Sequence, residues 1–308
     1  MLLGIDIGGT KCAVITGDDK GNVLTKKVIK TVDFGNTYKQ IFALVREHEN
    51  YDAIGISCGG PLDEEKGIIL SPPNLPDWDR VNIVSDIKKE FGVPCKIRND
   101  ANACALAEHK FGAGVGSKNV VFLTFGTGLG AGLILDGKLY SGTNGNAGEV
   151  GHIRMENKGP IGFNKVGSFE GFCSGQGIRQ LGEIFEKKAK AKGIIPKYSL
   201  IPNYTTKDIA ECARLGDKTA IAVFNKCGTM LGKGLSIIVD TLNPEKIVIG
   251  SVYARCVDLL YKPMMKVMKK ECIGVSLDVC EVVPAKLSEN IGDVAALAVA
   301  VEAKNETR

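Results

Sequence analysis

The run Asp6-Ile7-Gly8-Gly9-Thr10-Lys11 stands between two apolar stretches close to the start of the chain. A tight turn needs the glycines but neither the carboxylate nor the ammonium. Paired glycines let the backbone approach a ligand and aim successive N–H groups at it, an arrangement suited to phosphate oxygens. The Thr10 hydroxyl and the Lys11 ammonium add what a phosphate binds. Asp6 adds what a hydrated magnesium ion binds, since Mg²⁺ keeps several waters and takes few carboxylates. A second turn of this type is Gly126-Thr127-Gly128. Either turn alone is equally a plain hairpin; two of them, one flanked by Asp6 and Lys11, argue for a ligand. A third place for chemistry is Asn99-Asp100, directly before the Ala-rich run Ala101–Gly112. A carboxylate at a helix N-terminus is favoured in its ionised form, ready to accept a proton at neutral pH; the plain alternative is an N-cap.

Two familiar phosphate motifs are excluded. Gly126, Gly128 and Ala131 satisfy the spacing of a dinucleotide fingerprint, which requires a helix after the glycines. The sequel Ala131-Gly132-Leu133-Ile134-Leu135-Asp136-Gly137 reads as strand and turn. The P-loop pattern occurs nowhere.

The elements that must hold these residues follow from periodicity and punctuation. Strands are predicted over 2–7, 12–16 and 23–30, joined by glycine turns into an antiparallel meander. A helix over 37–49 follows, then a buried strand running into Gly59-Gly60. Residues 71–78 form a proline-rich loop whose Trp78 either stacks on a sugar face or anchors the loop. A helix over 81–92 and a strand over 93–100 lead to the Ala-rich helix. Strand, Gly/Thr turn, strand, Asp136-Gly137 turn and strand then repeat from Val120, which predicts two related α/β halves. Residues 141–177 read as glycine-rich loop, with mostly helix to Asn243, a strand into the turn Gly250-Ser251, and a closing Ala-rich helix. The domain division expected is 1–110 plus 290–308 as a small α/β lobe and 111–289 as a large one.

Composition narrows the class. The 308 residues carry a net charge of +4, and no Lys/Arg block of the kind that binds nucleic acid appears. Ten cysteines occur without any C-x-x-C pair, which reads as reduced, buried thiols in the cytoplasm. The longest uncharged run, 119–135, holds four glycines and is a poor membrane span. No leader peptide is expected.

The segments DIGGTK, NDANACALAE, FGTGLGAGLILDGKLYSGTNGNAGEVGH and GSFEGFCSG together resemble the ROK family of bacterial sugar kinases and repressors, within the actin-like ATPase superfamily. The resemblance implies an α/β, actin-like (ribonuclease H-like) duplicated two-lobe fold with ATP and sugar in an interlobe cleft. It implies that Gly8, Gly9, Thr10 and Lys11, with Gly126, Thr127 and Gly128, hold the ATP phosphates. Gly250 and Ser251 match the adenosine side, Ser251 standing where the family usually has glycine. Asp6 would hold magnesium through water. Gly60, Asn99, Asp100, Glu149, His152 and Glu170 would bind the sugar, with Asp100 as catalytic base. It implies ATP and Mg²⁺ as cofactors, a hexose phosphorylated at O6 as in a glucokinase, and a homodimer; from the composition, neither nucleic acid nor membrane is expected as a partner. The family's structural zinc uses one His and three Cys. Here Ile161, Phe163 and Ser168 take the cysteine positions, so no zinc site is expected. A sugar-sensing regulator without its DNA-binding domain and a chaperone- or actin-like ATPase are the competing classes.

Overall fold

The computed structural model describes residues 1–306, apart from the side chain of Glu289. In chain order the elements are β1 (Leu2–Ile7), β2 (Lys11–Gly17), β3 (Val23–Lys30), α1 (Phe34–Arg46), β4 (Ile54–Cys58), β5 (Leu62–Asp63), β6 (Ile68–Ile69), α2 (Ile83–Phe91), β7 (Cys95–Asn99) and α3 (Asp100–Phe111). Next come β8 (Val120–Leu123), β9 (Ala131–Leu135), β10 (Lys138–Tyr140), β11 (Ile161–Gly162), β12 (Lys165–Val166), α4 (Phe169–Phe172), α5 (Gly175–Lys190), α6 (Thr206–Arg214) and α7 (Lys218–Leu242). The chain finishes with β13 (Lys246–Ile249), α8 (Ser251–Arg255), α9 (Val257–Glu271), α10 (Gly274–Leu277), β14 (Glu281–Pro284) and α11 (Ile291–Asn305).

The two five-stranded sheets have matching orders, β3-β2-β1-β4-β7 and β10-β9-β8-β13-β14. In the first, β1 pairs antiparallel with β2 and parallel with β4, so Asp6 lies opposite Ala13 on one side and Ser57 on the other. In the second, β13 runs parallel to both β8 and β14. The parallel strands β4, β8 and β13 are apolar and almost wholly buried, as expected for strands covered on both faces.

The chain divides into two units: Met1–Lys118, Gly132–Ala147 and Lys286–Arg308 in the first, Asn119–Ala131 and Gly148–Ala285 in the second. The sheet of the first unit is covered by α11, whose residues Val294 to Ala300 are all buried. This helix is Ala-rich because it lies close on the sheet: a Cβ on Gly55 would stand 2.1 Å from the Ala300 nitrogen. Leu2, Ile15, Ala296, Leu297 and Ala300 form the resulting core. A separate core on the other face gathers Ile5, Ile41, Phe42, Ile56, Ile87 and Trp78. Trp78 is 1 % exposed and meets the Phe34 ring edge-on at 5.3 Å, so it anchors its loop and offers no face to a sugar.

Several boundaries differ from those expected. Helix α1 starts three residues earlier, at Phe34, because the Asp33 carboxylate caps the Asn36 N–H. The stretch 141–177 is not loop throughout. It contains a turn of 3₁₀-helix at Val150–His152, the β11–β12 hairpin, α4, and the start of α5. Ser168 and Ser174 cap the two helices by accepting from the Gly171 and Gly177 N–H groups. Glycine richness hides such short elements from periodicity.

Candidate active site

In the first unit, β1 ends in the turn Gly8–Thr10. The Gly8 N–H donates to the Lys11 carbonyl at 3.1 Å, and the Thr31 hydroxyl holds the Gly8 carbonyl at 2.6 Å. Among the described residues, the N–H groups of Gly9 and Thr10 meet no protein acceptor. Lys11 and Thr10 are exposed beside them. The turn therefore presents two backbone donors, a hydroxyl and an ammonium together, which is a phosphate cradle in chemical terms.

Asp6 lies at the base of this turn. Burial, then the negative charges of Asp293 and Asp100, push its pKa up to about 6, against the pull of Lys26 and Lys11. A Cβ on Gly292 would lie 3.4 Å from its Oδ2, which places the carboxyl beside the first turn of α11. Lys26 is engaged with Asp293 at 2.7 Å. Three carboxylates with incomplete compensation suit a hydrated divalent cation, so the residues present fit magnesium. Among the described residues no group of three or more His, Cys, Asp or Glu is arranged to coordinate a metal directly.

Asn99 ends β7 and caps α3, its Oδ1 accepting from the Ala101 N–H at 2.9 Å. Asp100 is thus the first helical residue, not the cap, and its Oδ1 accepts from the same N–H at 2.8 Å. Gly60 is next to Asn99: a Cβ there would lie 3.2 Å from the Asn99 Nδ2. The first unit so brings Gly60, Asn99 and Asp100 together. Asp100 is exposed as a residue, while its carboxyl group lies among protein atoms that desolvate it. That burial raises its pKa, and the bond from Ala101 only partly offsets it. The helix N-terminus alone points the other way, towards easier ionisation. Desolvation outweighs it here, and the result is a more basic carboxylate.

In the second unit, β8 runs into Thr124, Phe125 and the turn Gly126–Gly128. The Gly126 N–H donates to the Gly128 carbonyl at 2.9 Å, and the Thr124 hydroxyl accepts from the Gly130 N–H at 2.9 Å. Among the described residues, the N–H groups of Thr127 and Gly128 meet no protein acceptor. Beneath the turn sits Glu170 of α4, whose Oε2 accepts from the Leu129 N–H at 3.0 Å. The 3₁₀ turn bearing Glu149 and His152 presses on the same place: a Cβ on Gly151 would lie 2.1 Å from the Leu129 carbonyl oxygen. Glu149 and His152 are exposed, and the Glu170 Cβ lies 3.4 Å from where a Cβ on Gly151, between them in the chain, would be.

The turn opens into a cavity of about 710 Å³ within this unit, lined by Gly126, Thr127, Ser251, Arg179, Tyr204 and Arg255 among others. Its size is in the range of small-molecule and cofactor sites. Ser251 is 3.6 Å from where a Gly126 Cβ would be, and it holds φ of +48°, in the left-handed region. That is where glycine is ordinarily favoured.

In place of cysteines, Ile161 and Phe163 lie exposed on the β11–β12 hairpin and Ser168 is a buried helix cap. The hairpin is held by polar bonds: Gln180 pairs with the Ile161 backbone, Lys165 donates to the His152 carbonyl, and Arg154 donates to the Val166 carbonyl. The ten cysteines are all free thiols, seven of them buried. No helix among the described residues is long and apolar enough to cross a membrane.

The signal for most of these positions lies in local runs. What the runs do not show is Glu64, a buried carboxylate joined to Asn99; its partners are scattered along the chain, and no spacing rule connects them.

Comparison with solved structures defines the class as the actin-like (ribonuclease H-like) duplicated two-lobe α/β fold. The crystal structure of a ROK family glucokinase from Streptomyces griseus in complex with glucose and AMPPNP matches with a TM-score of 0.76 at 30 % identity, over 98 % of this chain and 99 % of that one. The chain belongs to the ROK family, whose profile matches residues 2–303. A glucokinase of Streptomyces coelicolor is 31 % identical, covering 98 % of each chain. The structure of a ROK family transcriptional regulator, described as a homologue of the E. coli MLC protein, matches with a TM-score of 0.86 at 25 % identity, over 98 % of this chain and 78 % of that one.

Proposed function

We propose that this protein is an ATP-dependent sugar kinase that transfers the γ-phosphoryl group of ATP to a hexose hydroxyl, O6, in the manner of a glucokinase. The observation that carries the reading is the second unit's cavity. A glycine turn with two unclaimed N–H groups opens into a space of about 710 Å³, large enough for a nucleoside, with Ser251 on its wall. The glucokinase relatives and the family's two-lobe fold support it.

In this proposal Gly8, Gly9, Thr10 and Lys11 in one unit, and Gly126, Thr127 and Gly128 in the other, donate to phosphate oxygens. Gly250 and Ser251 take the adenosine side. Asp6 would hold magnesium through water, and the ion would supply positive charge to the phosphates. Phosphoryl transfer passes through a loose transition state, so positioning and charge compensation are most of what the protein supplies. Asn99, Gly60, Glu149, His152 and Glu170 position the sugar hydroxyls. Glu170 has one oxygen committed to the Leu129 N–H, which leaves the other to accept. Asp100 takes the proton of the hydroxyl as its oxygen bonds to the γ-phosphorus. The bond from that phosphorus to the bridging oxygen breaks, and ADP leaves. The raised pKa of Asp100 makes it a better proton acceptor once ionised.

The regulator among the structural relatives favours one second reading, a sugar sensor without turnover. A coupled assay for ADP across a sugar panel, with and without Mg²⁺, separates the two. Sugar-dependent ADP release supports the kinase, sugar binding without release supports the sensor, and sugar-independent hydrolysis removes both. We further propose a cytoplasmic homodimer.

A further inference from the structure

Glu64 follows β5 in the first unit and its side chain is only 4 % exposed. Both carboxylate oxygens are doubly occupied. Oε1 accepts from the Asn99 backbone N–H at 2.7 Å and from Asn102 Nδ2 at 3.0 Å. Oε2 accepts from Arg98 Nη1 at 2.8 Å and from the Ser141 hydroxyl at 3.2 Å. Arg98 also forks onto Glu302 through Nε at 3.0 Å and Nη2 at 2.6 Å. Burial works against the Arg98 charge, and the Glu302 and Glu64 carboxylates more than offset it, raising its pKa.

Four donors converge on one side chain, and only an ionised carboxylate has acceptor capacity for all of them. A group so occupied has nothing left for a ligand. Its donors come from the end of β7, the first turn of α3 and the residue after β10, so it ties three chain segments at the junction that carries Asn99 and Asp100. We propose that Glu64 is a positioning residue for the sugar acceptor: through the Asn99 N–H it fixes the β7–α3 junction, and so the orientation of the Asn99 side chain and the Asp100 carboxylate. This rests on the kinase reading given above. A displacement of about 1 Å in a reacting group can cost about a hundredfold in rate, so loosening this junction reaches catalysis without a direct contact.

The test is Glu64→Gln in the full chain. An amide keeps the shape but turns one acceptor into a donor, which faces either Arg98 and Ser141 or Asn99 and Asn102. The expected result is a rise of about tenfold or more in KM for sugar, a fall in kcat, and KM for ATP within about twofold of the parent. Hydrogen exchange should quicken at Asn99–Cys104 and around Ser141, with the rest of the unit protected as before. Parental KM and exchange would overturn the proposal. So would equal losses for both substrates with exchange raised throughout the unit, which is the mark of a purely structural buried charge. If Glu64→Gln does not fold, Ser141→Ala removes one donor and should raise the sugar KM about threefold with the same local exchange pattern; parental values for it count against the proposal. A parent protein that turns over no sugar overturns the kinase reading itself, and the exchange pattern with calorimetric sugar binding then decides the role of Glu64.

Discussion

The two glycine turns, one in each unit, share a sequence type and differ in what surrounds them. Gly8–Thr10 sits among charges: Asp6 with Asp100 and Asp293 around it, and Lys11 exposed beside it. Its backbone is braced by neutral groups, the Thr31 hydroxyl and the Lys11 carbonyl. Gly126–Gly128 also has neutral braces, the Gly128 carbonyl and the Thr124 hydroxyl, but a carboxylate, Glu170, holds the adjoining Leu129 N–H, and the turn faces an open cavity. The same backbone device thus stands in two settings, one crowded by carboxylates and one open to a cavity.

The largest effect expected falls on the charged side. Asp100→Ala should leave the fold intact by circular dichroism and lower kcat by about 10²–10⁴-fold, the usual contribution of a general base. Sugar-dependent ADP release at the parental rate would remove Asp100 from that role.

Asp6→Asn separates activity from stability. The folded pKa of Asp6, about 6, lies above its ordinary 3.8, so the native chain holds that proton more tightly than the unfolded chain does. Stability from this group is therefore complete below about pH 4 and is lost as pH rises through 6; the difference is worth up to about 3 kcal/mol. Asp6→Asn should abolish Mg²⁺-dependent turnover, yet unfold at a higher temperature than the parent at pH 7.5, measured without nucleotide or metal. In the parent, kcat/KM should fall as pH drops through about 6, as the carboxylate is protonated. An unchanged melting temperature would place the charge cluster elsewhere.

Gly9→Ala and Gly126→Ala sharpen the comparison between the turns. A Cβ on Gly9 would stand 2.6 Å from the Asn74 carbonyl oxygen, backbone that cannot step aside cheaply. Overpacking of this kind costs about 1–3 kcal/mol. At Gly126 the nearest atom, Ser251 Oγ, is 3.6 Å from the added carbon, an ordinary contact. The first variant should lose stability in denaturant melts and the second should not, although both should raise KM for ATP.

The smallest effect is at Ser251, whose φ of +48° a glycine adopts without penalty. Ser251→Gly should gain about 1 kcal/mol and raise the melting temperature by about 2 °C. A fall would mean that the hydroxyl makes up for its backbone.

Much of this organisation is legible in the residues themselves. Strands β1–β3 and helix α2 with its Gly92 stop follow from alternation and punctuation, and the left-handed φ of +66° at Gly92 is the expected terminator. Both glycine turns are visible because glycine and threonine crowd into a few adjacent positions, with charge added at the first. The 141–177 stretch is less legible: hairpin, short helix and 3₁₀ turn are each below the length at which periodicity speaks, and they are fixed instead by caps and by contacts such as Gly151 on Leu129. The basicity of Asp100 was also unreadable, because desolvation depends on what packs around it and the helix N-terminus suggests the opposite sign. Glu64 is the clearest case: its four donors lie 34 to 77 residues away in the chain, and only folding brings them together.

The burial of α11 against β1, β2, β4 and β7 has a consequence for biosynthesis. The ribosome delivers these strands of the first unit before the second unit, but the helix that seals their face emerges only after it. Until then Leu2, Ile15 and Ala53 lack their cover. A nascent chain stalled before residue 291 should therefore present protease-sensitive strands at its beginning, while the intervening unit already resists digestion.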